Sequence, residues 1–204
     1  MIDKPQQDLE HIRFMMERSS RFISLSGISG IIAGIIAVIA SFVAYYFINT
    51  NGVDYFGNKH IYFDSPLVTK LVVTAVLTLI AALFFVIYFT VRKSNNHNLK
   101  IWNTVTKRLL INLCIPLASG GIFCIALFYH HHFGFIAPAM LIFYGLALVN
   151  ASKYTFNDVG YLGYCELILG LIALFLTGFG LIFWAIGFGL LHIIYGFTMQ
   201  RKYH

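Results

Sequence analysis

The sequence predicts an all-α membrane protein, a polytopic bundle of six transmembrane helices with both termini in the cytoplasm. First, 59% of its 204 residues are hydrophobic and only 11% are charged, against about 25% charged residues in ordinary soluble domains. Second, six apolar stretches reach the length of about 20 residues that a helix needs to cross a bilayer. Third, the basic residues are concentrated in every second connection between these stretches, which is typical of cytoplasmic loops. The lipid bilayer is therefore the first partner that we expect for this chain.

Residues 1–23 form a charged lead-in that precedes the first span. Apolar residues recur there at roughly helical spacing, which predicts an amphipathic helix lying on the cytoplasmic membrane surface. Two interpretations are open: a segment that binds a partner at the membrane surface, or an anchor for the first span. A cleavable signal is not predicted, because the charged region is too long and the apolar run after it is of spanning length.

The first span, residues 24–48, carries a stripe of small residues. Ser26, Gly30 and Gly34 fall four apart, and stripes of this kind let helix backbones approach closely in lipid. The stripe packs either against another span of the same chain or against a second copy. In the second case the small-residue helix faces would hold a homo-oligomer together.

Three more spans follow in order, separated by polar connections. The longest connection, residues 49–66, contains two short aromatic runs around Gly57 and Asn58 that predict a hairpin. Residues 92–108 are polar and include five basic side chains. Three consecutive histidines make a very tight turn between the third and fourth spans. The predicted second, third and fourth spans are residues 67–91, 109–129 and 133–150.

The stretch from residue 161 to residue 199 carries a single formal charge. It is too long for one bilayer crossing at about 1.5 Å of rise per residue, and its turn sequence is Thr177-Gly178-Phe179-Gly180. It therefore predicts an antiparallel hairpin that forms the fifth and sixth spans. The six spans make one transmembrane domain, residues 24–199, and residues 200–204 form a basic cytoplasmic tail.

The basic residues predict the orientation of the chain in the membrane. Twelve of the 14 lysines and arginines lie in the N-terminal segment, in the second and fourth connections and in the tail. The two exceptions are Lys59 and Lys70. Because cytoplasmic loops retain Lys and Arg, both chain ends and Lys153 are predicted to be cytoplasmic, while His60 and His131 face outward.

Four segments of the sequence are distinctive. They are ERSSRFISLSGISGIIAG (residues 17–34), YGLALVNASKYT (144–155), YLGYCE (161–166) and GFGLIFWAIGFGLLHIIYG (178–196). In these segments the chain resembles a family of uncharacterised bacterial six-span inner-membrane proteins, and the likeness covers both ends of the chain better than its middle. The resemblance implies a multi-pass protein of the bacterial cytoplasmic membrane, and it implies no activity.

Glu166 in the fifth span and His192 in the sixth are the first candidates for a functional site. An ionisable side chain at the centre of a membrane span costs about 2.5–3.5 kcal/mol or more. Each residue lies on the small-residue face of its helix, and with a turn near Phe179 the two fall at equal depth. We therefore predict that the two side chains meet, and that the small-residue stripes match across the hairpin. Tyr144 lies at similar depth on the fourth span.

The polar pair has two interpretations. It is either an interhelical hydrogen bond that fixes packing, worth about 0.6 kcal/mol and up to about 1.7 kcal/mol, or a site that binds a small molecule or a proton. Tyr144 and Asn150 complete the predicted ligand or proton site. Other polar residues at similar depth favour a cavity that opens to the cytoplasm and is closed on the outside. They include Ser24, Ser26, Ser29, Asn112, Cys114 and Tyr164.

The outer histidines are a second candidate site. His60 and the triplet His130, His131 and His132 share the outer face with Asp54 and Asp64 of the first loop. Imidazole and carboxylate ligands suit zinc or copper, but three consecutive histidines do not easily reach one ion. The alternative is a simple interfacial turn.

Other function classes are not supported by the sequence. The basic residues follow membrane topology and form no dense patch, so nucleic-acid binding is not predicted, and no catalytic or cofactor motif is present. The three cysteines lie in apolar runs and are expected to be buried and unpaired. We therefore predict a non-enzymatic membrane protein that binds or moves a small molecule or a proton through the Glu166 site. The alternative is a structural or accessory membrane subunit with no ligand of its own.

Overall fold

The computed structural model describes residues 26–51, 65–96 and 102–203. Within these ranges the chain contains no β-strand, and six helices are long and apolar enough to cross a membrane. The predicted six-span, all-α architecture is therefore confirmed. The N-terminal amphipathic helix and the hairpin of the first loop lie outside the described residues.

The first five spans are built on five α-helices and the sixth is composite. The five helices are α1 Gly27–Thr50, α2 Ser65–Asn96, α3 Thr104–Tyr129, α4 Ile136–Ala151 and α5 Asn157–Phe175. Short 3-10 turns flank the last two at Phe133–Phe135, Ser152–Tyr154 and Thr177–Phe179. The sixth span joins α6 Gly180–Trp184, a π-helix Ala185–Leu191 and α7 His192–Tyr203. The turn of the last hairpin thus falls where it is predicted.

Two helices extend five residues beyond the predicted spans. α2 continues five residues past the predicted end, and α3 begins five residues before the predicted start, at Thr104. With 32 residues, α2 is about 48 Å long, whereas the hydrocarbon core of a bilayer is about 30 Å thick. The side chain of Asn103 caps α3 by accepting hydrogen bonds from the backbone N–H and the hydroxyl of Thr106, at 2.8 and 2.9 Å. These helix ends are polar, so hydropathy does not mark them.

The histidine turn between the third and fourth spans is a Schellman motif, in which two reversed hydrogen bonds close a helix C-terminus. The backbone N–H of His131 donates to the carbonyl of Phe128 at 3.1 Å, and that of His132 donates to Leu127 at 2.8 Å. His131 has a φ of 58°, in the left-handed region that glycine usually occupies at this position. The predicted tight turn is therefore confirmed, and His131 makes the sharp change of direction.

Glycines of the first and sixth spans bring these two antiparallel helices into backbone contact. A Cβ atom on Gly27 would lie 2.5 Å from the carbonyl oxygen of Gly196, and one on Gly34 would lie 2.6 Å from the carbonyl oxygen of Gly189. Real Cβ atoms do not approach so closely, so a side chain at either position would push the helices apart. The small-residue stripe of the first span thus packs against another span of the same chain. The homo-oligomer stays a prediction, but this stripe is already occupied by the sixth span of the same chain.

The small-residue stripes of the last hairpin do not face each other, and that prediction is wrong. A Cβ atom on Gly163 would lie 2.8 Å from the carbonyl oxygen of Gly145, so the fifth span packs closely on α4. Gly189 and Gly196 of the sixth span pack on α1 instead. Equal depth along a hairpin does not decide which neighbour a helix face meets, because the rotation of each helix is set by its tightest contact.

The second and third spans flank these two helix pairs. α2 packs against α1, α3 packs against the fourth span, and neither has extensive contact with a further described helix. None of the most apolar window of α2 is buried within the protein. Cys114 and Cys165 are also exposed and Cys124 is half-buried, so the expectation that the cysteines are buried is wrong. In these runs apolar character reflects contact with lipid and not a protein core.

The described chain begins and ends at the same end of the bundle. A Cβ atom on Gly27 would lie 2.7 Å from the backbone nitrogen of Gln200. Six crossings require this arrangement, because an even number of crossings returns the chain to the side from which it started. α7 continues to Tyr203, so residues 200–203, which the sequence assigns to a tail, extend the helix of the sixth span.

Alanine substitutions test the glycine packing. Gly34→Ala places a methyl group 2.6 Å from the carbonyl oxygen of Gly189 and 2.9 Å from the amide nitrogen of Ile193. We expect the free energy of unfolding to fall by about 1–3 kcal/mol. Gly121→Ala is the matched control, because nothing lies within 4 Å of the added methyl group and alanine is the better helix former by about 1 kcal/mol. Thermal unfolding in detergent should show a lower midpoint for the first variant and an unchanged or higher one for the second. Equal midpoints would contradict the packing.

Candidate functional site

Glu166 lies deep in the membrane-spanning region and is fully buried. It stands nine residues after the start of α5, or about 13 Å along the helix axis, and its exposed fraction is 0%. Its Oε1 atom lies 3.4 Å from Nδ1 of His192. The structure therefore confirms that Glu166 and His192 meet across the last hairpin.

His192 begins α7 and is held at both ring nitrogens. Nδ1 lies 3.0 Å from the carbonyl oxygen of Gly187, and Nε2 lies 2.8 Å from the hydroxyl oxygen of Tyr144. A carbonyl oxygen only accepts hydrogen bonds, so Nδ1 carries a proton. In the neutral ring Nε2 then accepts the hydroxyl proton of Tyr144. Tyr144, the third residue predicted for the site, thus joins it through His192.

The π-helix presents a bare stretch of backbone to Glu166. A Cβ atom on Gly187 would lie 2.5 Å from Oε2 of Glu166 and would also collide with the side chain of Leu141. The carboxylate therefore lies directly against the backbone of the sixth span, and a side chain at residue 187 would displace the ends of the Glu166 and Leu141 side chains. Gly187 and Leu141 are not among the predicted site residues. The segment Gly187-Phe188-Gly189, with two glycines in one helical turn, is the sequence signal that marks this close approach.

Aromatic rings cover the imidazole. The ring of Phe188 stacks on His192 with centroids 6.0 Å apart and an interplanar angle of 21°, and it lies 5.0 Å from the ring of Tyr144. Trp184 extends the group, with its ring 5.3 Å from Phe188. In such an apolar environment a hydrogen bond is strengthened, and a polar atom without a partner is costly.

The carboxylate of Glu166 lacks such a partner. Neither oxygen has a hydrogen-bond partner among the described residues. The 3.4 Å separation from the imidazole exceeds the usual N–H···O range of about 2.7–3.2 Å. A buried polar group left in this state costs about 1–3 kcal/mol, and more if it is charged. A bound proton, a water molecule or a closer imidazole would satisfy the carboxylate.

Asn150 is not brought to this site. Its amide nitrogen donates to the backbone carbonyl of Asn112 at 3.3 Å, and its amide oxygen accepts from Lys153 at 3.1 Å. The first of these bonds ties the end of α4 to α3. Asn150 also lies six residues after Tyr144, or about 9 Å along the helix, and so it belongs to a separate polar contact.

The described residues also do not form the predicted polar cavity that opens to the cytoplasm. Tyr164 is 53% exposed and Cys114 is exposed, so neither faces the interior. Ser24 lies outside the described residues, and the hydroxyl of Ser29 bonds within its own helix, to the carbonyl of Ser26 at 2.6 Å. The space expected for the cavity is taken by a buried apolar cluster, with partly buried aromatic and aliphatic side chains packed around it. Its buried members are Leu148, Val159 and Leu162.

This apolar cluster separates Glu166 from one end of the bundle. Leu162 and Val159 lie between Glu166 and the ion pair of Asp158 with Lys202, whose atoms are 3.0 Å apart. A proton or ligand moving along this route would meet apolar side chains before it reached the carboxylate.

The predicted metal ligands are described only in part. His60, Asp54 and Asp64 lie outside the described residues. The rings of His130, His131 and His132 each contact a nearby aromatic ring. Within the described ranges no three His, Cys, Asp or Glu side chains are grouped for metal binding. A metal site that includes His60 stays a prediction.

No protein-family model matches this chain, and no curated protein or solved structure is significantly similar to it. The chemistry of the site is therefore inferred from its own residues and their geometry.

Substitution of Gly187 tests the contact between the carboxylate and the backbone. Gly187→Ala inserts a methyl group between Leu141 and Oε2 of Glu166, and we expect it to lower the free energy of unfolding by about 1–3 kcal/mol. Gly178→Ala, in the turn that precedes the same span, has nothing within 4 Å of its new methyl group and serves as the control. If chemical unfolding in detergent gave the two variants the same stability, the close contact at Gly187 would be disproved.

Proposed function

We propose that the protein is a multi-pass protein of the bacterial cytoplasmic membrane that holds and releases a proton at an intramembrane site formed by Glu166, His192 and Tyr144. The observation that supports this most directly is the state of Glu166. Its carboxylate is fully buried, has no hydrogen-bond partner among the described residues, and lies 3.4 Å from the imidazole. Intramembrane ionisable residues of this kind commonly serve in proton relays.

The packing around the carboxylate favours a proton over a larger ligand. The backbone of Gly187 and the side chain of Leu141 lie beside Oε2, and a methyl group on Gly187 would collide with the ends of the Leu141 and Glu166 side chains. A small molecule would have to displace these side chains to lie between Gly187 and the carboxylate, whereas a proton needs no added volume. Between the two ligands that the sequence leaves open, the proton is the one that fits.

The three side chains form a continuous path for one proton. A proton arriving at Tyr144 Oη allows the hydroxyl proton to pass to Nε2 of His192, across 2.8 Å. The imidazolium then gives its Nδ1 proton to Oε1 of Glu166, across 3.4 Å. One proton enters at Tyr144 and one is bound at Glu166, so the charge balances. The path therefore runs from Tyr144, which is half-buried, to Glu166, which is fully buried.

A second function is favoured by one specific observation, the burial of both members of the pair. The same contacts would let Glu166 and His192 act as a polar clamp that holds the sixth span against α4 and α5, in a structural or accessory membrane subunit. Interhelical hydrogen bonds in membranes contribute about 0.6 kcal/mol and up to about 1.7 kcal/mol. In neither case do we propose a catalytic step.

The distribution of charge supports the proposed orientation. Along the alternating spans, Arg92, Lys107, Lys153 and Arg201 fall at one end of the bundle and Lys70 at the other. Cytoplasmic ends retain basic residues, and we therefore assign the first of these ends, with both chain termini, to the cytoplasm.

Fusions to alkaline phosphatase test this orientation, because the enzyme is active only outside the cytoplasm. A fusion after residue 131, in the histidine turn, should be active, and a fusion after residue 95, near the end of α2, should be inactive. The opposite pattern would show that the chain is inserted the other way round.

Infrared difference spectroscopy of the protein in lipid nanodiscs tests the proton site. Between acid and alkaline buffer, the wild type should show the carbonyl band of a buried carboxylic acid, and Glu166→Gln should lose it. Asp158→Asn is the matched control, since Asp158 is the other acidic residue of α5 and lies at the helix end, paired with Lys202. A spectrum unchanged by Glu166→Gln would refute the proton site. If that variant also unfolded about 0.6–1.7 kcal/mol more easily, the structural clamp would be the better account.

A further inference from the structure

The last part of α2, from residue 84 onward, has one side that is open to its surroundings. Phe84, Ile87, Tyr88 and Val91 recur there at intervals of three or four residues and are 37–62% exposed. A groove of about 600 Å³ follows this side of the helix toward its end, and these four residues line it. The groove is therefore accessible from the bilayer.

The side chains that line the groove change from apolar to polar toward the helix end. Arg92, Asn95 and Asn96 also line it and are exposed. They follow Val91, the last apolar residue of α2, and lie about 1.5–7.5 Å beyond it along the helix axis. The headgroup layer of a bilayer is about 5–8 Å thick on each side. Because the apolar run ends at Val91, the three polar side chains lie at the depth of lipid headgroups and the others at the depth of acyl chains.

The polar end of the groove offers hydrogen-bond donors to an anion. Within the described part of the chain, Arg92, Asn95 and Asn96 have no ion pair or side-chain hydrogen bond. A guanidinium matches the oxygen atoms of a phosphate group with two parallel N–H···O bonds. The carboxamide of an asparagine side chain supplies two further N–H donors. The three side chains together therefore suit a phosphate group.

We propose that this groove binds one anionic phospholipid, with its phosphate at Arg92, Asn95 and Asn96 and an acyl chain along Phe84 and Ile87. Tyrosine is enriched at the level between headgroups and acyl chains, and Tyr88 lies between these two parts of the groove. The lipid site is independent of the proton site. Its leaflet follows from the orientation proposed above, which puts Arg92 in the cytoplasmic leaflet, where anionic lipids attract basic residues.

Charge favours an anionic lipid over a zwitterionic one. The sequence of α2 contains no acidic residue, and Lys93 follows Arg92 directly. A choline headgroup carries its own positive charge beside its phosphate, and the basic end of α2 repels that charge. A glycerol headgroup carries no charge beyond its phosphate. The same apolar contacts are open to both lipids, so the headgroup decides between them.

Native mass spectrometry of the protein in detergent tests the site, with dioleoyl phosphatidylglycerol and dioleoyl phosphatidylcholine supplied as an equal mixture. We expect the phosphatidylglycerol adduct to exceed the phosphatidylcholine adduct by about fivefold, and Arg92→Gln should remove this preference. Lys107→Gln is the matched control. Lys107 is an exposed basic residue at the same end of the bundle, 5.9 Å from the ring of Trp102, and it does not line the groove. This variant should keep the preference.

Two further arms test the amides and the acyl chain separately. The double variant Asn95→Ala and Asn96→Ala removes two donors without a change in charge, and its phosphatidylglycerol adduct should be weaker than that of the wild type. Glycerol 3-phosphate, which has the phosphate but no acyl chain, should give no adduct. All of these variants change exposed side chains, so we expect their thermal unfolding midpoints to match the wild type.

Several results would overturn the lipid site. Equal loss of preference in Arg92→Gln and Lys107→Gln would show a general attraction to surface charge. Equal adducts of the two lipids, or unchanged phosphatidylglycerol binding in the asparagine variant, would contradict the assigned headgroup contacts. Glycerol 3-phosphate bound as tightly as the lipid would show a site for free phosphate. A dimer mass that is lost in Arg92→Gln and needs no lipid would show that a second copy covers the groove.

Discussion

Backbone contact between glycines sets the geometry on which the polar site depends. Lipid tails are as apolar as the side chains of a membrane helix, so helices associate in a bilayer through close packing and not through hydrophobic burial. Gly189 and Gly196 seat the sixth span on Gly34 and Gly27, and Gly163 seats the fifth span on Gly145. These contacts fix the rotation of each helix about its axis. The direction in which His192 meets Tyr144 and Glu166 follows from that rotation.

The number of spans and the meeting of Glu166 with His192 could be predicted from the sequence, because both depend on length. Apolar stretches of sufficient length mark the spans, and distance from the turn near Phe179 sets depth. The helix against which each small-residue face packs could not be predicted in this way. Gly163 and Gly196 share a depth but pack on different helices, since nothing in the spacing of small residues says which of several similar stripes is the neighbour. Asn150 was assigned to the site by depth for the same reason, and it bonds to α3 instead.

The π-helix is a feature that hydrophobic patterning does not reveal. It depends on which donors the carbonyls of one turn find, and at Gly187 the side chain of His192 is one such donor. The glycine at residue 187 then has two effects: it removes the bulk that would keep a carboxylate away from the backbone, and it lowers the helical preference of the turn.

The peripheral position of the second span has a consequence for how the chain can vary. α2 packs against α1 and has no extensive contact with another described helix, and none of its most apolar window is buried. Its outward side chains have to be apolar, but lipid imposes no shape on them. Exchange among leucine, valine, isoleucine and phenylalanine there should be nearly neutral, whereas one added methyl group at Gly34 is not. The permitted sequences of the two adjacent helices therefore obey different rules, hydropathy for the outward-facing positions of α2 and steric fit for the glycine positions of α1.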